Sequence, residues 1–196
     1  MIQDRGVLFR ARGVAEEPTD VDLIRRIRRG ADQAAFERLV ARYVDGVYRI
    51  VSVRVDSAHD AEDLVQDIFL AVHTSMPSFQ SQSRFSTWLY RIVLNHVGQF
   101  YRRRARRPEP QALEAAHSVR DPAGGPEADA SGEEELSRLR AAISELPESY
   151  RSAFLLRTAE DLSYREIAEI LDCAPGTVDS RIARARALLR KKLRGT

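Results

Sequence analysis

The sequence lacks the features that define several specialised classes of protein. Its 196 residues include a single cysteine, Cys173, which excludes an intramolecular disulfide and leaves no cysteine cluster for a structural zinc site. No run of about 18 apolar residues is present that could span a bilayer. Arg5, Arg10 and Arg12 interrupt the only candidate signal peptide. Because 43% of the residues are apolar and 31% are charged, wholesale disorder is excluded as well. We therefore expect a soluble, cytoplasmic protein without membrane insertion.

Signals for metal-dependent or nucleophilic catalysis are also missing. The histidines show none of the spacings typical of metal ligands, and no nucleophile motif accompanies them. They are His59, His73, His96 and His117. His96 falls near the apolar face of a predicted helix, so we expect it to pack in the core. The sequence predicts no metal, no cofactor and no catalytic residue.

Basic and acidic residues are distributed unevenly, although the net charge is only +2. Five arginines lie within 102–107, and seven basic residues with no acid among them lie within 181–194. Every charge between residues 121 and 135 is negative. Two basic patches on either side of an acidic spacer favour two contacts with a polyanion. The alternative interpretation is a pair of solvated helix ends.

Composition divides the chain into two candidate domains. Residues 108–132 contain four prolines and three glycines but almost no large apolar residue, so this stretch cannot bury enough surface to offset the entropy of ordering it. We interpret it as a disordered acidic, Pro/Gly-rich linker, and residues 1–18 as a flexible N-terminal tail. An N-terminal domain then spans 19–107 and a C-terminal domain spans 133–196.

The N-terminal domain is predicted to contain four helices. Thr19 and Asp32 are candidate N-caps of the first two helices. Apolar residues at three-and-four spacing predict a third helix over about 58–75 and a fourth over about 85–104. No stretch shows the alternation typical of a strand, so an all-α fold is indicated.

The third predicted helix carries a polar and acidic face opposite its apolar stripe. Asp60, Asp63 and Asp67 share this face at i, i+3 and i+7, and Glu62 and Gln66 flank them. A solvated face and a docking face for a basic partner are both consistent with this pattern. Catalysis is disfavoured, because nothing in the sequence supplies a pocket or convergent partners for the acids.

The segment from the polar loop at 78–84 through the fourth helix combines aromatic and basic residues. Aromatic side chains stack on unpaired bases and arginines bind phosphates, while short polar side chains in a loop could hold a flipped-out base. For Trp88 and Phe100, burial in the core is the better interpretation. The signal is stronger for Arg91, Asn95 and the arginine run.

The most specific pattern lies in the C-terminal domain. Ser163 and Glu166 form a capping box at the start of a short helix, a tight break follows, and a long helix begins near Pro175. This spacing predicts a helix-turn-helix with its last helix in the DNA major groove; a helical hairpin for protein contact is the alternative. The predicted fold is therefore all-α, with two small helical domains joined by a flexible linker, the C-terminal one a helix-turn-helix.

Five motifs in this order resemble the bacterial extracytoplasmic-function (group IV, sigma-70 family) sigma factors of RNA polymerase. The motifs occupy residues 60–69, 85–92, 146–148, 162–171 and 176–186. The resemblance implies a region-2 domain for core polymerase and the −10 element, and a region-4 domain for the −35 element. It also implies as partners core RNA polymerase (the β′ clamp helices and the β flap), promoter DNA and an anti-sigma factor. Such a partner could hold the chain near the membrane, and the free domains could close on each other.

The resemblance further implies three sets of site residues. The polymerase-binding set is Asp60, Glu62, Asp63, Gln66 and Asp67. The −10 DNA-binding set is Ser78, Phe79, Ser83, Arg84, Phe85, Ser86, Arg91, Asn95, Arg102 and Arg103. The −35 DNA-binding set is Thr177, Ser180, Arg181, Arg184 and Arg186. Asp179 stands where a basic residue is usual, and Asp161 and Asp172 stand where glycine is common, so promoter preference and turn geometry depart from the family pattern.

Three functions are compared with these sequence features. A sigma factor requires core polymerase for promoter recognition. A free-standing helix-turn-helix regulator would bind duplex DNA without polymerase. An enzyme acting on nucleic acid is supported only by the exposed acids of the third helix.

Overall fold

The computed structural model describes residues 17–30, 32–55, 57–106, 129–160 and 162–194. Within these ranges the chain forms eight α-helices and one 3-10 turn, and it contains no strand, which confirms the all-α prediction. The helices are α1 (Asp20–Gly30), α2 (Gln33–Ser52), α3 (Ala58–Ser75), α4 (Phe85–Arg106), α5 (Asp129–Ser144), α6 (Glu148–Glu160), α7 (Tyr164–Leu171) and α8 (Pro175–Arg194). None of them is long and apolar enough to cross a bilayer.

The predicted tail and linker lie largely outside the described residues. The tail is described only at 17–18, and the linker only from residue 129 onward. There α5 begins at Asp129, so the last four residues of the predicted linker, 129–132, are helical. The acids of the predicted spacer from Asp129 onward thus lie in the first turns of a helix, where negative charge is favoured by the helix dipole.

Side-chain caps set the starts of the N-terminal helices. The Thr19 hydroxyl accepts from the Asp22 amide at 3.3 Å, and the Asp32 carboxylate accepts from the Ala35 amide at 3.0 Å. Ser57 caps α3 by accepting from the Asp60 amide at 3.0 Å. The predicted caps of α1 and α2 and the predicted range of α3 are therefore confirmed. Each cap satisfies an otherwise unpaired amide and contributes about 1 kcal/mol.

Helices α1 to α4 form the N-terminal module around one apolar core. Leu39, Val47 and Ile50 of α2 and Ile68 of α3 are almost fully buried, as is Leu89 of α4. These positions follow the helical repeat, so each helix turns one apolar stripe inward and leaves its polar face to solvent.

Helices α5 to α8 form the C-terminal module, in which α7 and α8 make the helix-turn-helix. The predicted capping box is present: the Glu166 amide donates to the Ser163 hydroxyl at 3.3 Å, and the Ser163 amide donates to the Glu166 carboxylate at 2.8 Å. Asp172 ends α7 in the left-handed conformation, with φ 47° and ψ 56°. Asparagine and aspartate tolerate this conformation better than other non-glycine residues, which explains how the turn forms where glycine is common.

The two modules pack against each other, with α2 and α4 contacting α6 and α7; we call this the closed arrangement. Arg54, which follows α2, is buried at the contact. Its guanidinium donates to the Ser152 hydroxyl at 2.7 Å and to the Glu148 carboxylate at 3.1 Å. Burial lowers the pKa of Arg54, and the negative charge of Glu148 partly offsets that effect. The Nη2 group of an N-terminal-module arginine is thus bound by side chains of the C-terminal module, while among the described residues its buried Nε has no hydrogen-bond partner.

A second contact brings α6 against the only glycine of α2. Glu160 lies so close to Gly46 that a β-carbon placed there would fall 1.4 Å from the Glu160 Oε1 atom. The Tyr90 hydroxyl lies on the same side, 2.9 Å from that position. Gly46 therefore permits the approach of the two modules by its lack of a side chain.

Candidate polymerase and nucleic-acid interfaces

The acidic face of α3 is presented to solvent as predicted. Glu62, Asp63, Gln66 and Asp67 are exposed, and Asp60 is half-buried. The only ion pair found for this face among the described residues joins Asp63 to His59 one turn earlier, with 3.6 Å between Oδ2 and Nε2 and both side chains exposed. The face therefore carries closely spaced carboxylates, most of them exposed and without an ion pair among the described residues.

An apolar groove runs beside the acidic face, between α2 and α3. Leu70 is 66% exposed on its rim, and Phe36, Val40 and Phe69 line it together with Gln66. The groove has a volume of about 520 Å³. The sequence analysis missed it because Leu70 lies outside the apolar stripe of α3. A large apolar residue that stands out of register with the buried stripe is the signal that could have revealed it.

The aromatic members of the predicted −10 set lie in the core. Phe79 and Phe85 are each 4% exposed, and their ring centroids lie 6.0 Å apart. Trp88 and Tyr43 complete the cluster, at 4.9 Å from Phe79 and 5.3 Å from Phe85 respectively. Direct base contact by Phe79 and Phe85 is therefore not available in this arrangement. They form a rigid floor, because edge-to-face rings pack tightly and lock each other's rotamers.

The polar members of the −10 set lie above that floor and along α4. Ser78 and Arg84 are exposed, and Ser83 and Ser86 are half-buried. Arg91, Asn95, Arg102 and Arg103 are exposed on α4. The structure brings the loop residues together, whereas residues 91 and 102 are about 16 Å apart along the helix axis at 1.5 Å per residue. The set therefore forms a track with a loop at one end rather than a single pocket.

Two members of this track bind α7 in the closed arrangement. Arg84 Nη1 lies 2.8 Å from Glu166 Oε1, and Arg91 Nε donates to the Glu169 carbonyl at 3.1 Å. Burial opposes ionisation of Glu166, but hydrogen bonds from Ser163 and the charge of Arg84 outweigh it and hold the Glu166 pKa below its ordinary range. The helix-turn-helix thus occupies part of the predicted single-strand surface.

The predicted −35 residues all lie on α8. Ser180, Arg184 and Arg186 are exposed, and Thr177 and Arg181 are half-buried. Arg184 donates to the Tyr150 hydroxyl at 3.2 Å and Arg181 approaches the Cys173 sulfur at 3.6 Å, so two of the arginines are oriented by the module's own side chains. Asp179 is exposed on the same helix.

Two family models match the chain, one in each module. The family model described as "Sigma-70 region 2" matches residues 39–107, and "Sigma-70, region 4" matches residues 136–189. The chain is 39% identical over 187 residues to the ECF RNA polymerase sigma-E factor of Escherichia coli K12, covering 92% of this chain and 97% of the relative. It is 38% identical over the same length to the sigma-E factor of Haemophilus influenzae, covering 92% and 98%.

Solved structures give the same result. The structure of CnrH in complex with the cytosolic domain of CnrY superposes with a TM-score of 0.69 at 27% identity, covering 90% of this chain and 97% of CnrH. The sigma factor RpoE in complex with the anti-sigma factor NepR from Bartonella quintana gives 0.67 at 26% identity, covering 81% and 96%.

Both sigma modules occur in the family order, and similarity to sigma-E factors extends over nearly the whole chain. A free-standing helix-turn-helix regulator does not account for the region-2 module. The resemblance found in the motifs is confirmed: this chain belongs to the extracytoplasmic-function RNA polymerase sigma factors of the sigma-70 family.

Proposed function

We propose that this chain directs core RNA polymerase to specific promoters and helps to melt their −10 element at the start of transcription. The observation that carries the proposal is the combination of a region-2 and a region-4 module, each with an exposed charged surface of the expected kind. In this role the chain is a binding subunit without catalytic residues of its own. It acts in the bacterial cytoplasm, where polymerase and promoters are found.

The α3 face is proposed to dock on the clamp helices of the polymerase β′ subunit. Carboxylates attract a basic surface and accelerate encounter. The exposed Leu70 and the groove beside it would add the desolvated apolar contact that usually carries most of the affinity of an interface. Asp63, Gln66 and Asp67 would then form the polar rim.

The loop at 78–86 is proposed to capture an unstacked base of the −10 element. Ser83 and Ser86 offer hydroxyls for a base edge, and the buried Phe79 and Phe85 hold the loop in shape beneath them. Arg91, Arg102 and Arg103, with Asn95 between them, follow the strand along α4. Binding the unpaired base in this way shifts the DNA equilibrium towards the melted state.

Helix α8 is proposed to read the −35 element in the major groove. Thr177, Ser180, Arg181, Arg184 and Arg186 supply hydrogen-bond donors to phosphates and base edges. Asp179 repels phosphate but can accept from the exocyclic amine of cytosine, so a cytosine opposite this residue is favoured. Contact of the C-terminal module with the β flap would hold α8 at a fixed distance from the N-terminal module.

The closed arrangement is also suited to control by an anti-sigma factor. Because Arg84 and Arg91 already bind α7, a partner that clamps the two modules together would keep part of the −10 surface covered. The Bartonella quintana relative was solved in complex with an anti-sigma factor. An anti-sigma partner attached to the membrane would hold this chain nearby without membrane insertion.

Run-off transcription on a library of genomic fragments with purified core polymerase tests the proposal and identifies the promoter. Asp63→Lys/Asp67→Lys is expected to lose core binding and transcription together. Glu135→Lys, an exposed acid on α5, is the control and should retain both activities. A gel shift with and without core enzyme separates this function from that of a free regulator. Tight duplex binding by the chain alone, with no transcription in the presence of core enzyme, would refute the proposal.

A further inference from the structure

A second surface of the N-terminal module has the chemistry of a nucleic-acid site. A cavity of about 1,220 Å³ lies between α1 and residues 79–86, which comprise the loop before α4 and the first two residues of that helix. Its floor is formed by Tyr43, Phe79 and Phe85, and its loop wall carries Ser83 and Ser86. The opposite wall is α1, which precedes the residues matched by the region-2 family model at 39–107.

The cavity is strongly positive. Among its described lining residues there are five arginines and one acid: Arg25, Arg28, Arg29, Arg42, Arg84 and Asp20. Asp20 is already bound by Arg42 and Tyr43, so its charge is neutralised locally. The cavity therefore favours an anion.

Two of these arginines, Arg28 and Arg29, are available to a ligand, because the other three are already paired. Arg25 pairs with Asp22 at 3.3 Å, and Arg84 pairs with Glu166 in the closed arrangement. Arg28 and Arg29 are exposed, and no ion pair is found for them among the described residues. Their place in the last turn of α1 also stabilises the helix dipole, but that role does not require them to face a cavity.

Apolar surface accompanies the positive charge. Val21 in the first turn of α1 is 63% exposed and lines the cavity, together with the buried Ile24. A site for a free inorganic anion would not need this surface. An unpaired nucleotide strand needs both the apolar surface and the positive charge, because its bases contact apolar or aromatic groups while its phosphates contact arginines. Duplex DNA presents base edges rather than base faces and cannot insert them into a cavity.

We propose that Arg28 and Arg29 bind the phosphates of the melted promoter strand next to the base captured by the 78–86 loop, with Val21 against a neighbouring base. This inference rests on the proposed function and extends its single-strand path across the loop onto α1. The arginines of α1 would then stabilise the open complex, while recognition of the duplex −35 element would not depend on them.

The test uses holoenzyme assembled from core polymerase and the full chain. Its affinity for a −10 non-template oligonucleotide, with the sequence identified by the run-off experiment, is measured over a series of salt concentrations. Each lost phosphate contact on a single strand lowers the salt slope by about 0.7, so Arg28→Ala/Arg29→Ala is expected to lower it by about 1.4. Arg28→Lys/Arg29→Lys should keep most of the wild-type slope. Arg38→Ala, an exposed arginine of α2 outside the cavity, is the matched control.

A second readout separates opening from binding. Open complexes of the alanine variant should dissociate faster on the intact promoter, whereas a promoter made only of the −35 duplex should bind as in wild type. An unchanged slope and lifetime, equal to those of Arg38→Ala, would overturn the inference while wild-type transcription still supports the proposed function. If the alanine variant lost affinity for core polymerase but not for the oligonucleotide, α1 would bind protein and the inference would be wrong. Absence of promoter-directed transcription by the wild-type chain would instead refute the proposed function.

Discussion

At Gly46, replacement by alanine is expected to weaken the contact between the two modules while favouring the helix that contains this residue. In Gly46→Ala, the new β-carbon would lie 1.4 Å from Glu160 Oε1 and 2.5 Å from its Cδ. The Glu160 side chain must move, and because it is only 14% exposed at the contact its displacement loosens the packing of α6 on α2. Overpacking of this kind costs about 1–3 kcal/mol. Since each 1.4 kcal/mol is a factor of ten in a population ratio, the ratio of closed to open chains should fall between about five-fold and a hundred-fold.

Within the N-terminal module the same substitution favours the helix but also brings the new β-carbon to 2.9 Å from the buried Tyr90 hydroxyl, which must shift slightly. Gly46 lies in the interior of α2, where replacing glycine with alanine gains about 0.5–1 kcal/mol because the unfolded backbone has less entropy to lose. Small-angle X-ray scattering measures the opening as a larger radius of gyration. Thermal unfolding of the same sample measures the stability of the helices.

Gly98→Ala is the matched control. Gly98 also lies within a helix at the contact between modules, but a β-carbon there would approach only the flexible Arg102 guanidinium, at 3.3 Å. This variant should remain closed. The double variant Gly46→Ala/Glu160→Ala should close again, because the colliding carboxylate is gone. A Gly46→Ala chain that scatters as compactly as wild type would refute the reasoning.

Three further predictions follow from single residues. Burial raises the pKa of Glu160, and a hydrogen bond from Tyr90 and the charge of Arg49 partly offset this effect. Closure therefore takes up a proton. The contribution of Glu160 to closure is fully present below the ordinary pKa of 4.5 and is lost as the pH rises through the raised pKa of the closed state. Scattering over a pH series should show this, and Glu160→Gln should remove this contribution while leaving the opposite one from Glu166, whose pKa the contact with Arg84 lowers. Arg54→Met removes charged hydrogen bonds across the contact and should weaken closure by about 1–2 kcal/mol, since Glu148 remains solvated; an unchanged radius of gyration would contradict it. Asp172→Gly removes the cost of a left-handed non-glycine residue and should stabilise the C-terminal module by about 0.5–1 kcal/mol. Asp172→Ala should destabilise it. Melting temperatures that shift in the opposite directions would refute the explanation of this turn.

Local sequence rules predicted the helices well, because their signals act within one or two turns. The caps at Thr19 and Asp32, the capping box at Ser163 and the range of α3 all depend on neighbouring residues. The exposed acids of α3 followed from the same periodicity. These features require no knowledge of what the helix packs against.

Features that depend on distant packing could not be predicted in this way. Phe79 and Phe85 carried a signal for base stacking, yet their burial results from Tyr43 and Trp88 closing over them. The fit of Glu160 against Gly46 joins residues more than a hundred positions apart, and neither residue type alone indicates it. The early start of α5 was missed because acidic and small residues suit both a solvated spacer and a helix N-terminus.

The closed arrangement covers part of one proposed binding surface and leaves another exposed. It occupies Arg84 and Arg91 of the predicted −10 set, yet it leaves Glu62, Asp63 and Asp67 of α3 exposed. With the roles proposed for these surfaces, a chain in this state would bind core polymerase before it could engage an unwound promoter. Under the proposed function the closed arrangement would set the order of assembly, and we expect copies without polymerase to compete poorly for melted DNA.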